Sequence, residues 1–126
     1  MSFNNKEVLL KANAAVTEGD NDGFLSLCTE DVNWEFIGDK TLVWKEAVRE
    51  YVKTGYLEPP RFDAENLIAE GDFVSAIGKI SMKDEGEKVI DYSYCDVWRF
   101  RDGKMAELKA FVIEIKPQYN PLKNCQ

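Results

Sequence analysis

Histidine is absent from this chain of 126 residues. That absence removes Ser-His-Asp and Cys-His nucleophile systems, histidine-ligated metal sites and the usual general base near neutral pH. Acid–base work here falls to carboxylates, tyrosines or lysines. Cysteine is scarce: Cys28, Cys95 and Cys125 are odd in number and lack Cys-x-x-Cys spacing. Neither a disulfide framework nor a zinc site is expected, and no residue is assigned to a metal or cofactor. No run approaches the ~20 apolar residues of a membrane span. The N-terminal Met-Ser-Phe-Asn-Asn-Lys-Glu lacks the apolar core of a secretory signal, which predicts a cytoplasmic chain. There is no Lys/Arg cluster, and a net charge of −7 disfavours phosphate backbones and anionic lipid surfaces, so neither nucleic acid nor membrane is expected as a partner.

What is present describes a globular protein: 44% hydrophobic and 31% charged residues, enough for one core. The expected organisation is a single domain over residues 1–116 with a C-terminal tail, 117–126, that carries Pro117 and Pro121 and no periodic pattern. Val8, Leu9, Ala12, Ala15 and Val16 recur at helical spacing over 5–18, and Gly19 ends that run. Asp20 or Asn21 caps a short second helix carrying Phe24, Leu25, Leu27 and Cys28. Residues 32–37 read as a strand with Trp34 and Phe36 on one face and Asn33, Glu35 and Ile37 on the other. A third helix is predicted at 44–54, with Trp44, Ala47, Val48, Tyr51 and Val52 as its apolar stripe. The rest reads as β, near 62–70, 73–83, 88–101 and 105–115, joined by Gly71-Asp72, Asp84 to Glu87, and Asp102-Gly103. Strands that long must twist, and Gly78 marks a bend or bulge within one of them.

An α+β layout follows, with helices gathered on one face of a curled antiparallel meander. Such a sheet closes around a blind cavity suited to a small molecule. The stretch from Cys95 to Lys104 places one acid in an aromatic row: Tyr92, Tyr94, Asp96, Trp98 and Phe100 share a face. A carboxylate there is either a pocket acid with its pKa raised by desolvation or an idle hydrogen-bonded residue.

Three segments carry a family resemblance: Glu18-Gly19-Asp20-Asn21-Asp22-Gly23-Phe24, Glu30-Asp31-Val32-Asn33-Trp34, and Asp96-Val97-Trp98-Arg99-Phe100-Arg101-Asp102-Gly103-Lys104. On these the chain resembles the NTF2-like superfamily, the cone fold of SnoaL-like polyketide cyclases and ketosteroid isomerases. The resemblance covers residues 5 to 115. It implies a curved antiparallel mixed sheet with three N-terminal helices packed on its concave face. It also implies that Asp96 corresponds to the isomerase aspartate held protonated to donate a hydrogen bond to an enolate oxygen. The isomerase tyrosine of the first helix falls on Ala12, and its proton-shuttling aspartate on Phe36, with Glu35 adjacent but of opposite parity. Cyclase-like members often carry a His and an Asp on the last strand, which here reads Glu107 to Ile113 with apolar residues at those places.

The catalytic candidates are therefore Asp96 and, given a one-residue bulge, Glu35. Trp34, Phe36, Tyr51, Tyr92, Tyr94, Trp98, Ala110 and Val112 are the candidate ligand pocket. Cofactor-free isomerisation, cyclisation or dehydration of a small hydrophobic molecule is one reading. A noncatalytic ligand-binding or protein-association module of the same fold is the other. Lys109, Phe111, Ile113 and Ile115 form the opposite, convex face, through which a homodimer is expected, as is usual in this fold.

Overall fold

The computed structural model describes residues 4–54 and 59–116, so the predicted tail 117–126 lies outside the described residues. Its elements are α1 (Asn5–Thr17), α2 (Asn21–Ser26), β1 (Cys28–Phe36), β2 (Thr41–Val43), α3 (Lys45–Thr54), β3 (Arg61–Glu70), β4 (Phe73–Lys83), β5 (Val89–Arg101) and β6 (Lys104–Glu114). Asn4 caps α1 by accepting the Glu7 N–H at 3.3 Å. At the other end Gly19, at φ 78, lets the chain reverse. The Gly19 and Asp20 amides then bond back to the carbonyls of Val16 and Ala15. Asp20 serves both helices, because its side chain accepts the Gly23 N–H at 3.0 Å to start α2.

The six strands form one mixed sheet in the order β2-β1-β6-β5-β4-β3. Only the β1–β6 pairing is parallel; the others are antiparallel. The β5–β6 reversal is a two-residue turn in which Asp102 (φ 53) and Gly103 (φ 79) are both left-handed, the geometry that suits the strand twist. Curvature has visible causes. Extra residues interrupt the pairing on β1, β3 and β6, the last at Ala106, and Gly78 on β4 faces the β3 irregularity. A Cβ at Gly78 would collide with the Asp63 carbonyl and the Ala64 backbone, so the close approach of β3 depends on glycine. The helices cover the inner face with Leu9, Ala12, Val16, Phe24, Val48 and Val52, packed on Val32, Trp98, Leu108 and their neighbours.

Three expectations need correction. The first strand begins at Cys28, not at residue 32: Cys28 and Thr29 are both buried and Glu30 and Asp31 both exposed, so the alternation that marks a strand is broken there. β2, three residues long, has too few positions to show a period and was not expected. Trp44 is not part of a buried helical stripe. It sits at φ 77, is 59% exposed, and stands before α3 with its carbonyl accepting the Ala47 and Val48 amides.

Candidate functional site

Strand register builds a cavity around one acid. Across the concave face Ala76, Asp96, Ala110 and Phe36 lie side by side on β4, β5, β6 and β1. The adjacent row is Val74, Trp98, Leu108 and Trp34. Two alanines flanking Asp96 leave space above it, while the Trp98–Trp34 row fills the space beneath. The result is a cavity of about 210 Å³, larger than the roughly 150 Å³ that holds a benzene ring in an engineered apolar site.

Of the pocket candidates, Trp34, Phe36, Tyr51, Tyr92, Tyr94, Ala110 and Val112 line this cavity together with Asp96. Trp98 does not: at 2% exposure it is core beneath the floor, 6.2 Å from Trp34 between ring centroids. Sequence reading missed Asp39, Phe62, Ile80, Met82 and Leu108. Leu108 has the same parity as Ala110 on β6 and was recoverable. Asp39 sits in the turn between β1 and β2, where no strand parity assigns a direction.

Asp96 has protein on nearly every side yet keeps a partly accessible edge, which faces the cavity. Burial alone pushes its carboxyl up to about 7, and among the described residues no hydrogen bond or ion pair offsets that. Nearby, the Tyr94 hydroxyl and the Trp34 indole N–H are buried without a hydrogen-bond partner among the described residues. Burial, and after it the negative charge at Asp96, raises the Tyr94 phenol above its usual range.

The aromatic walls are interlocked. Trp34 packs against Phe24 and Phe36 at 5.7 Å and Tyr51 at 5.9 Å. Phe36 stacks on Tyr51 at 5.1 Å, and Phe62 meets Tyr94 edge-on at 5.8 Å. The Lys40 ammonium lies over the Tyr51 and Phe36 rings at 5.2 and 5.9 Å.

Glu35 is not brought to Asp96. Its register partners are Thr41 and Lys109, on the face opposite Trp34 and Phe36, and it does not line the cavity. The β1 irregularity that could have turned it inward falls earlier, between Cys28 and Asn33, so parity is kept where it matters. Ala12 is fully buried core. Among the described residues no three His, Cys, Asp or Glu side chains gather in a metal-holding group.

Residues 10–108 match the model of the SnoaL-like domain family. Solved structures similar to this chain include SalBIII, an epoxide hydrolase/cyclase-like enzyme described in pyran ring formation in the polyether salinomycin. It has a TM-score of 0.80 at 23% identity, over 86% of this chain and 89% of that one. An NTF2-like protein of unknown function from Burkholderia pseudomallei gives 0.78 at 18% identity, over 87% and 90%. TerC co-crystallised with polyporic acid gives 0.74 at 22%, over 85% and 89%. At these identities the likeness is one of fold. No curated protein matches the chain by sequence.

Proposed function

The chain belongs to the SnoaL-like domain family, and from that premise we propose that it takes a small, mostly apolar molecule into the cone cavity, where Asp96 is the acid that meets the ligand. The observation that carries this reading is the unpaired Asp96 carboxyl with its accessible edge on an aromatic-walled cavity. A buried carboxyl without a protein partner is costly, and a ligand oxygen supplies the missing acceptor when the acid is protonated. The two-carboxylate scheme with Glu35 as second group is set aside, because Glu35 lies on the other face.

Binding is the favoured role. A one-acid reaction is the second reading, supported by a carboxyl poised near neutral pH: Asp96 would donate its proton to a carbonyl or developing oxyanion during isomerisation, cyclisation or dehydration. Isothermal titration with 1-indanone, a compact uncharged ketone, tests the cavity. The native chain should bind it, and Ala110→Leu, which fills the space beside Asp96, should weaken binding at least tenfold with the circular dichroism spectrum retained. Equal affinity in both would place the ligand elsewhere. Ala110→Val is the milder check should the leucine variant fail to fold.

A further inference from the structure

The two edges of the sheet differ: β2 offers three residues, whereas β3 offers ten. The extra residue Glu65 divides β3, and the groove between α1 and β3 is lined by Phe62, Asp63 and Ala64 but not by residues past that point. Residues 66–70 pair with β4 in unbroken register, and among the described residues nothing else bonds to their backbone. Glu70 and Phe73 close the two-residue Gly71-Asp72 turn, so the Glu70 amide and carbonyl face β4. Alternation then turns the amides and carbonyls of Leu67 and Ala69 outward, where a further strand would pair with them. Edge strands are commonly blunted by lysine or proline; this stretch, Asn-Leu-Ile-Ala-Glu, carries neither.

The edge is charged with one sign only. Glu65, Glu70 and Asp72 have no ion-pair partner among the described residues, and the β4 residues opposite 66–70, from Phe73 to Ile77, are uncharged. Asn66, Ile68 and Glu70 share one side of the strand, and Ile68 is 58% exposed. An antiparallel second copy would set Glu70 beside Asn66 and Glu65, carboxylate near carboxylate, on a chain that already carries −7. A basic partner meets the same ladder without that repulsion.

We propose that residues 66–70 of β3 take an extended basic peptide as a seventh strand, with lysine or arginine beside Glu65 and Glu70 and an apolar residue opposite Ile68. The pattern is basic-x-apolar-x-basic, read on one side of the added strand. None of these residues lines the cone cavity, so the site is separate from the one proposed above.

The test is fluorescence anisotropy on the intact chain with fluorescein-labelled Thr-Lys-Thr-Val-Thr-Lys-Thr-amide and its counterpart with glutamate in place of both lysines. The native chain should bind the lysine peptide at least tenfold tighter, with the preference shrinking in high salt. Glu65→Lys with Glu70→Lys should reverse the order of the two peptides. Ala69→Pro removes an outward amide without breaking the β4 ladder, so it should cost the lysine peptide at least tenfold with the circular dichroism spectrum retained. Should that variant fail to fold, N-methylation of the two threonines flanking the valine blocks the same bonds from the peptide side and should cost as much. Lysine-peptide binding that survives both blocks would overturn the added strand and leave bare charge attraction. Equal binding of the two peptides, or of neither, would overturn the proposal outright. A native chain whose sedimentation coefficient falls on Ala69→Pro pairs with itself at this edge, which would overturn the peptide as its occupant.

Discussion

At Asp96 the unfolded chain ionises near 3.8, whereas burial holds the folded carboxyl at about 7. Below the lower value both states are protonated and the residue costs the fold nothing. As pH rises toward 7 the unfolded state alone loses its proton, and stability falls until the folded carboxyl ionises too. The gap corresponds to at most about 4 kcal/mol. Asp96→Asn should remove this slope, leaving a variant more stable than the native chain at pH 8 and nearly equal to it at pH 4. Urea denaturation at both values checks it, and a native profile as flat as the variant's would count against the buried acid. Asp31 acts in the opposite sense: its hydrogen bonds from Arg101 hold its carboxyl down to about 2, a contribution present above 3.8 and lost as pH falls through that lower value. Asp96 and its aromatic row were legible in the sequence because strand parity is a strict period of two. The cavity above it was less so, since it depends on Ala76 and Ala110 arriving at either side through pairing on two other strands.

Elements were legible where local chemistry decides them. The Asp20 cap, Gly19 and the Asp102-Gly103 turn each place a special backbone geometry on a residue suited to it. Trp44 breaks that rule. Its spacing from Val48 and Val52 fits a helical stripe, but its left-handed φ and exposure put it outside α3. Trp44→Gly relieves a conformation that costs a bulky residue about 1 kcal/mol and removes little buried area. The variant should lie within ~1 kcal/mol of the native chain, where loss of a core Trp costs ~3–5 kcal/mol. Thermal denaturation distinguishes the two, and a loss in the larger range would return Trp44 to the core.

For the molecule as a whole, the convex face opposite the cavity leaves Phe73, Ile77, Phe111 and Ile113 exposed, Ile113 at 71%. Ile77 and Phe111 flank Cys95 in one row, so the patch runs across three strands. We propose that a second copy of the chain covers it, as an apolar sheet face of this extent favours association. Phe111→Lys with Ile113→Lys should give a monomer by sedimentation with the circular dichroism spectrum unchanged; a native chain already monomeric at micromolar concentration would contradict this. The fold class was readable from element order and turn chemistry, which are local. Ligand chemistry was not, because it depends on which side chains remain unpaired once six strands are in register.

The measurement that tests the account most directly is the carbon-13 NMR titration of the Asp96 carboxyl, free and with 1-indanone bound. The account predicts a midpoint near 7 in the free protein that rises further with the ketone, whose oxygen accepts the Asp96 proton and so favours the protonated form. A midpoint near 3.8, or one near 7 that saturating 1-indanone leaves unmoved, would contradict it.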